Sequence, residues 1–255
     1  MTSARAARAL VFGVIGLAAL AIAIAVDHVE RRSLTIFAHR GFASEVSENT
    51  VEGVRFAASR ADAVEIDVRR CGSGELVCVH DEALERLTGV DRRVDETDWE
   101  TLRDLEVAAD GATIPRFEEL LAVVPDDVLL NVELKERGLA ADLLEALEDH
   151  DGEVVLSSFD RETLAEVRSR DRTIPLAYVF RTASPSARAA LETAAELGCV
   201  AVHPRTDLCF RTAVVPRAHR RGLAVNAWTV DSRFEAALVA LTGVDGVFAD
   251  SSWER

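Results

Sequence analysis

Polar residues in this chain gather at the ends of apolar runs. Glu65 and Asp67 stand two apart in AVEIDV and Glu133 and Lys135 two apart in VELK; His39 and Arg40 follow LTIFA, and His80 and Asp81 close ELVCV. Residues two apart on a strand share a face, so Glu65 and Asp67 project together. Two carboxylates facing an apolar interior are costly without a cation. Glu133 can add a third oxygen, and an oxygen-only set suits calcium or magnesium, with manganese next, better than zinc. The competing arrangement is a salt-bridge network in which Arg40 and Lys135 neutralise the same acids.

His39 and His80 are residue types that exchange protons near neutrality. Hydrolysis of a diester needs one group to activate the nucleophile and another to protonate the leaving oxygen, so two histidines suit two roles. Arg40 and Lys135 offer fixed positive charge for phosphate oxygens, the first as a fork and the second as a point charge. Together these residues point to metal-assisted phosphodiester hydrolysis. The formal charge is −15, from 44 acidic against 29 basic residues, which opposes binding to nucleic acid and favours a small phosphodiester held by local cations. Lys135 is the only lysine in the chain. An acidic, lysine-poor composition is found where proteins work in concentrated salt, and equally where codon usage favours arginine; neither origin bears on catalysis.

The elements that must position these residues alternate along the chain. β-Branched runs LTIFAH (34–39), AVEIDV (63–68), VLLNVEL (128–134), EVVLSS (153–158), IPLAYVF (174–180), CVAVH (199–203), LAVNAW (223–228) and GVFAD (246–250) are separated by stretches with helical apolar spacing, such as RETLAEVRSR and RFEAALVALTG. Eight strands alternating with helices are the number for an α/β fold of the (β/α)8 TIM-barrel type, whose reactive groups come from the C-terminal strand ends. A doubly wound open sheet is the alternative. The extra run ELVCVHD (75–81) reads as a small inserted hairpin after strand two, reaching over the rim. His203, Asp250 and the Ser157–Ser158 pair fall near the same rim and receive no role beyond polar lining.

Cys71, Cys78, Cys199 and Cys209 show no zinc spacing; Cys71 and Cys78 could close a small loop in an oxidising compartment, but buried free thiols are the simpler expectation. Residues 9–26, ALVFGVIGLAALAIAIAV, are uncharged and follow Arg5 and Arg8, the layout of an N-terminal hydrophobic helix that anchors the chain in a membrane, with cleavage as a signal peptide the alternative. Arg31 and Arg32 oppose the orientation that Arg5 and Arg8 favour, which leaves the side of the membrane open. The chain accordingly divides into an anchor or signal segment (1–33) and a barrel domain (34–255).

Seven segments in order, FAHRGF, ENT (48–50), VEIDVR (64–69), VHD (79–81), TIPRFEEL (113–120), VELK (132–135) and AWTVD (227–231), resemble the glycerophosphodiester phosphodiesterase family. The resemblance implies a barrel that cleaves glycerophosphodiesters to glycerol 3-phosphate and an alcohol with a divalent cation. It implies Glu65, Asp67 and Glu133 as metal ligands, His39 and His80 as base and acid, Arg40 and Lys135 as phosphate contacts, and Trp228 as an aromatic wall of the substrate pocket. Glu48, the acid of ENT, is implied to lie near the metal. Ser47 replaces the proline that usually precedes ENT, and Arg70–Gly74 replaces the usual turn after strand two. Two other functions compete: a lysophospholipase D-like enzyme acting on lysophospholipids, and a membrane-tethered binding domain without turnover. The full set of acids, histidines and cations exceeds what binding requires.

Overall fold

Each of the eight apolar runs forms a strand in the computed structural model, which describes residues 34–108, 111–182 and 187–253. In chain order the strands are β1 (Thr35–Ala38), β2 (Ala63–Arg70), β3 (Leu76–Cys78), β4 (Glu106–Val107), β5 (Ala112–Thr113), β6 (Leu129–Leu134), β7 (Val154–Ser158), β8 (Leu176–Phe180), β9 (Ala201–Pro204), β10 (Ala224–Val230) and β11 (Gly246–Ala249). The order β1-β11-β10-β9-β8-β7-β6-β2 is parallel throughout, and β2 pairs back to β1 through Phe37 opposite Ala63 and Ala38 opposite Val64. That last pairing closes the sheet into a (β/α)8 barrel and removes the open-sheet alternative.

Strand periodicity divides the side chains between two environments. Ala38, Val64, Ile66, Val132 and Leu156 face outward into the main core beneath the helices, whereas Phe37, Ala63 and Phe248 form a small separate cluster inside the barrel. The interior is partly polar. His203 lies against Phe248 with ring centroids 4.8 Å apart, and its Nε2 accepts a hydrogen bond from Asn226 Nδ2 at 3.2 Å. Burial pushes the His203 imidazole down to about 3, so it stays neutral.

The inserted segment is larger than a hairpin. β3 does pair antiparallel with β2, Val68 opposite Cys78 and Arg70 opposite Leu76. Beyond it come short helices at Glu85–Thr88 and Trp99–Leu102 and the β4–β5 ribbon. Val77, Val79, Leu84, Trp99, Leu102 and Ile114 give this lobe its own apolar core, distinct from that of the barrel. The segment folds into a lobe because it carries enough large apolar side chains to bury one another. Cys71, Cys78, Cys199 and Cys209 are buried free thiols, so the Cys71–Cys78 loop is not closed.

The apolar run 9–26 lies outside the described residues. Among the described residues no helix is long and apolar enough to cross a membrane.

Candidate active site

The loop after β1 is built by unusual backbone geometry. Arg40, Gly41 and Phe42 take φ values of 51°, 79° and 70° in succession. A left-handed conformation is disfavoured for side chains with a Cβ, and strain of this kind persists only where the surroundings enforce it. Gly41 is doubly required, because a Cβ there would stand 2.7 Å from the carbonyl carbon of Gly53. The turn aims the Arg40 amide at Glu65, with N–H to Oε2 at 2.9 Å. The following loop ends at Thr50, whose Oγ1 accepts from the Gly53 amide at 3.0 Å and caps the helix Val51–Ala58.

Three strand ends then converge. Asp67 stands opposite Glu133 in the β2–β6 register, and Glu65 lies two residues earlier on the same face. Glu65, Asp67 and Glu133 each offer an oxygen within 4.8 Å of the others. Lys135 Nζ donates to Glu133 Oε1 at 2.5 Å and lies 3.4 Å from Asp67 Oδ1. Arg40 Nε approaches Asp67 Oδ2 to 3.2 Å as an ion pair without hydrogen-bond alignment. Asn49 holds Asp67 from its other side: Asn49 Nδ2 donates to Oδ2 at 2.9 Å, and the Asp67 amide donates to Asn49 Oδ1 at 3.0 Å.

Two cations face three clustered carboxyls, so one carboxyl lacks a balancing charge, and the titration of the acids reflects it. Burial together with the Asp67 charge pushes Glu65 up to about 8. Burial also opposes the charge of Asp67, but Lys135 and Arg40 outweigh it and hold that carboxyl well below the usual range. Burial raises Glu133 despite the opposing pull of Lys135. The salt-bridge network expected as the competitor to a metal is therefore present but incomplete. Three oxygens in reach of one another and an uncompensated acid fit a divalent cation of the oxygen-seeking kind.

Both histidines are oriented by carboxylates. His39 Nδ1 and Asp250 Oδ1 are 2.5 Å apart, and His39 Nε2 lies 4.0 Å from Glu65 Oε2. His80 Nδ1 and Asp81 Oδ1 are 2.6 Å apart. In each ring the engaged Nδ1 fixes the orientation and leaves Nε2 for proton transfer. Burial lowers the His39 pKa, but Glu65 and Asp250 outweigh it and the result is raised; burial dominates at His80, which is lowered.

Trp228 is half-buried; its Nε1 donates to the His203 carbonyl at 2.8 Å, and its ring meets Phe159 edge-on at 5.4 Å. Lys135 Nζ stands 5.9 Å from the Phe159 ring centroid, so this aromatic pair borders the cationic side of the site.

Glu48 falls outside the group of three. Its oxygens accept from Arg40 Nη1 at 3.0 Å and from both Nη atoms of Arg86 at 2.8 Å, so its contacts are with the cations around the centre. Five residues of the site carry no role in the sequence reading, and Asp81 stands there only as the last residue of VHD. Asp250 was visible only as a polar residue ending the last strand, and Asn49 only as the middle of ENT. Arg86 and Phe159 carried no signal, since an arginine on a short helix and a phenylalanine after a strand are commonplace.

The profile of the glycerophosphoryl diester phosphodiesterase family matches residues 39–253. A glycerophosphodiester phosphodiesterase of Bacillus altitudinis is 30% identical over 232 residues, covering 84% of this chain and 94% of that protein. One from Caldanaerobacter subterraneus is 26% identical over 234 residues, covering 84% and 93%. The solved structure of an Oleispira antarctica phosphodiesterase in complex with the product sn-glycerol-3-phosphate superposes with a TM-score of 0.77 at 28% identity, covering 86% of this chain and 93% of that one. The strained His39–Gly41 turn, the strands carrying the acids, and Lys135 just beyond β6 all lie within the matched span, and the chain belongs to the glycerophosphoryl diester phosphodiesterase family.

Proposed function

We propose that this protein hydrolyses glycerophosphodiesters to glycerol 3-phosphate and an alcohol, with a divalent cation held by Glu65, Asp67 and Glu133. The observation that carries the reading is the pairing of two carboxylate-oriented histidines with a cluster of three acids that has one carboxyl more than the cations beside it. When bound, the cation supplies positive charge to a non-bridging phosphate oxygen and to the charge that builds up during cleavage. Calcium or magnesium, with manganese next, matches the all-oxygen donor set.

The chain's own residues do the rest. Arg40 and Lys135 hold phosphate oxygens, and their existing ion pairs with Asp67 and Glu133 keep them in place beforehand. His39, with Nδ1 engaged by Asp250, takes the proton of the nucleophile at Nε2. His80, with Nδ1 engaged by Asp81, gives a proton to the departing alcohol. The raised His39 pKa is compatible with the role of base, because the Glu65 charge that raises it is shared with the cation when one is bound. Trp228 and Phe159 supply an apolar wall beside the phosphate contacts.

The test is release of glycerol 3-phosphate from glycerophosphocholine by the purified protein with calcium, magnesium, manganese or EDTA. Metal-dependent release is expected; no release with any ion would remove the reading and leave the lysophospholipid and binding-domain alternatives.

A lysophospholipid is the alternative substrate. The likeness to a phosphodiesterase solved in complex with sn-glycerol-3-phosphate favours a glycerophosphodiester. The uncharged run 9–26 supports membrane attachment. The full chain is expected to stay with membranes through an alkaline carbonate wash, and its release would remove the anchor from the proposal.

A further inference from the structure

The two proton-transferring groups stand on separately folded parts. His39 belongs to the loop after β1, built on the barrel, while His80 belongs to the lobe between β3 and β6, whose apolar core is its own. A 1 Å error in the spacing of catalytic groups can cost about 10²-fold in rate, so something must fix the lobe against the loop. The main-chain side of His80 is held from below, where Arg69 Nε donates to its carbonyl at 2.9 Å. The side-chain side is held by Arg86, on the short helix Glu85–Thr88.

Arg86 reaches both parts at once. Its two Nη atoms donate to the two oxygens of Glu48 at 2.8 Å each, a bidentate fork, while its Nε donates to Asp81 Oδ2. Asp81 in turn orients His80, and Glu48 accepts from Arg40, the residue after His39. A continuous run of charged hydrogen bonds, His80–Asp81–Arg86–Glu48–Arg40, thus crosses from one proton-transferring segment to the other. A bidentate guanidinium–carboxylate pair fixes direction as well as distance, which an ammonium cannot do.

We propose that Arg86 is a positioning residue that sets His80 against the His39–Arg40 loop, acting through Asp81 and Glu48 and touching no reacting atom. The inference rests on the reading of His80 as the acid that protonates the leaving alcohol. Loss of the clamp should therefore reproduce, in weaker form, the signature of losing His80.

The experiment compares Arg86→Gln, Arg86→Lys, His80→Ala and the control Arg103→Gln in the full chain. Arg103 is another exposed arginine of the lobe, whose guanidinium pairs with Glu100. Each is assayed on glycerophosphocholine, which expels a poor alcohol leaving group, and on the glycerol phosphodiester of p-nitrophenol, which expels a good one. Arg86→Gln is expected to lower kcat on glycerophosphocholine about 10- to 100-fold with KM changed less than about threefold, and kcat on the nitrophenyl ester less than about threefold. Arg86→Lys should fall between Arg86→Gln and the parent, and Arg103→Gln should match the parent on both substrates. Equal slowing of both substrates by Arg86→Gln, or undiminished turnover of glycerophosphocholine, would overturn the role of Arg86 while His80→Ala kept its own leaving-group dependence. If His80→Ala itself slowed both substrates equally, the assignment of the acid would fail, and the role of Arg86 with it.

Discussion

Glu65→Gln is expected to lower turnover of glycerophosphocholine by at least about 10³-fold, while the metal-free protein unfolds no more easily than the parent. The two effects share one cause. Three clustered acids meet two cations, and Glu65 is the carboxyl pushed up to about 8 by burial and by the Asp67 charge. In the unfolded chain the same group releases its proton near the model value of 4.5. Between those values the native state holds the extra proton, so stability is fully present below about pH 4.5 and is lost as pH rises through about 8. The loss is on the order of 1–5 kcal/mol. Glutamine imitates the protonated acid and carries no such loss, yet it offers one neutral oxygen where a cation requires charge.

Urea unfolding in EDTA at pH 5 and at pH 8.5 checks the first half: the parent should lose stability across that interval relative to Glu65→Gln. Added divalent cation should restore the parent at pH 8.5, by about 2.7 kcal/mol at one hundred times its dissociation constant, and should restore the variant much less. Because a proton must leave Glu65 for a cation to enter, the parent's metal affinity should also rise with pH up to about 8. Turnover by Glu65→Gln within about tenfold of the parent would show that Glu65 is no ligand in the working enzyme.

The second large effect separates the histidines. His39→Ala is expected to slow both glycerophosphocholine and the nitrophenyl ester by about 10²- to 10⁴-fold, since nucleophile activation is needed whatever leaves. His80→Ala should slow glycerophosphocholine by a similar factor and the nitrophenyl ester by less than about tenfold, because nitrophenolate departs without a proton. The opposite pattern would exchange the two roles. Their oriented rings set the expectation: Asp250 engages His39 at 2.5 Å and Asp81 engages His80 at 2.6 Å, so each histidine is held by a carboxylate whichever way the proton moves.

Periodicity and residue type determined much of this protein. Runs of β-branched residues at regular intervals specified eight parallel strands, and alternation along AVEIDV and VELK specified that Glu65, Asp67 and Glu133 share the interior face. Those are local properties, readable because a strand repeats every two residues. Closure was not local: only the pairing of β1 with β2 distinguishes a barrel from an open sheet, and it depends on the accumulated twist of the whole sheet. Sequence shows the β3 pairing, and hence a hairpin, but not which apolar residues find one another across 71–114 to make a lobe. The tertiary structure also decided which polar groups support the site. Asp250 meets His39 across 211 residues and Arg86 meets Glu48 across 38, contacts that no spacing rule contains. It also set Glu48 between the guanidinium groups of Arg40 and Arg86, since a carboxylate settles beside the charges the fold brings to it.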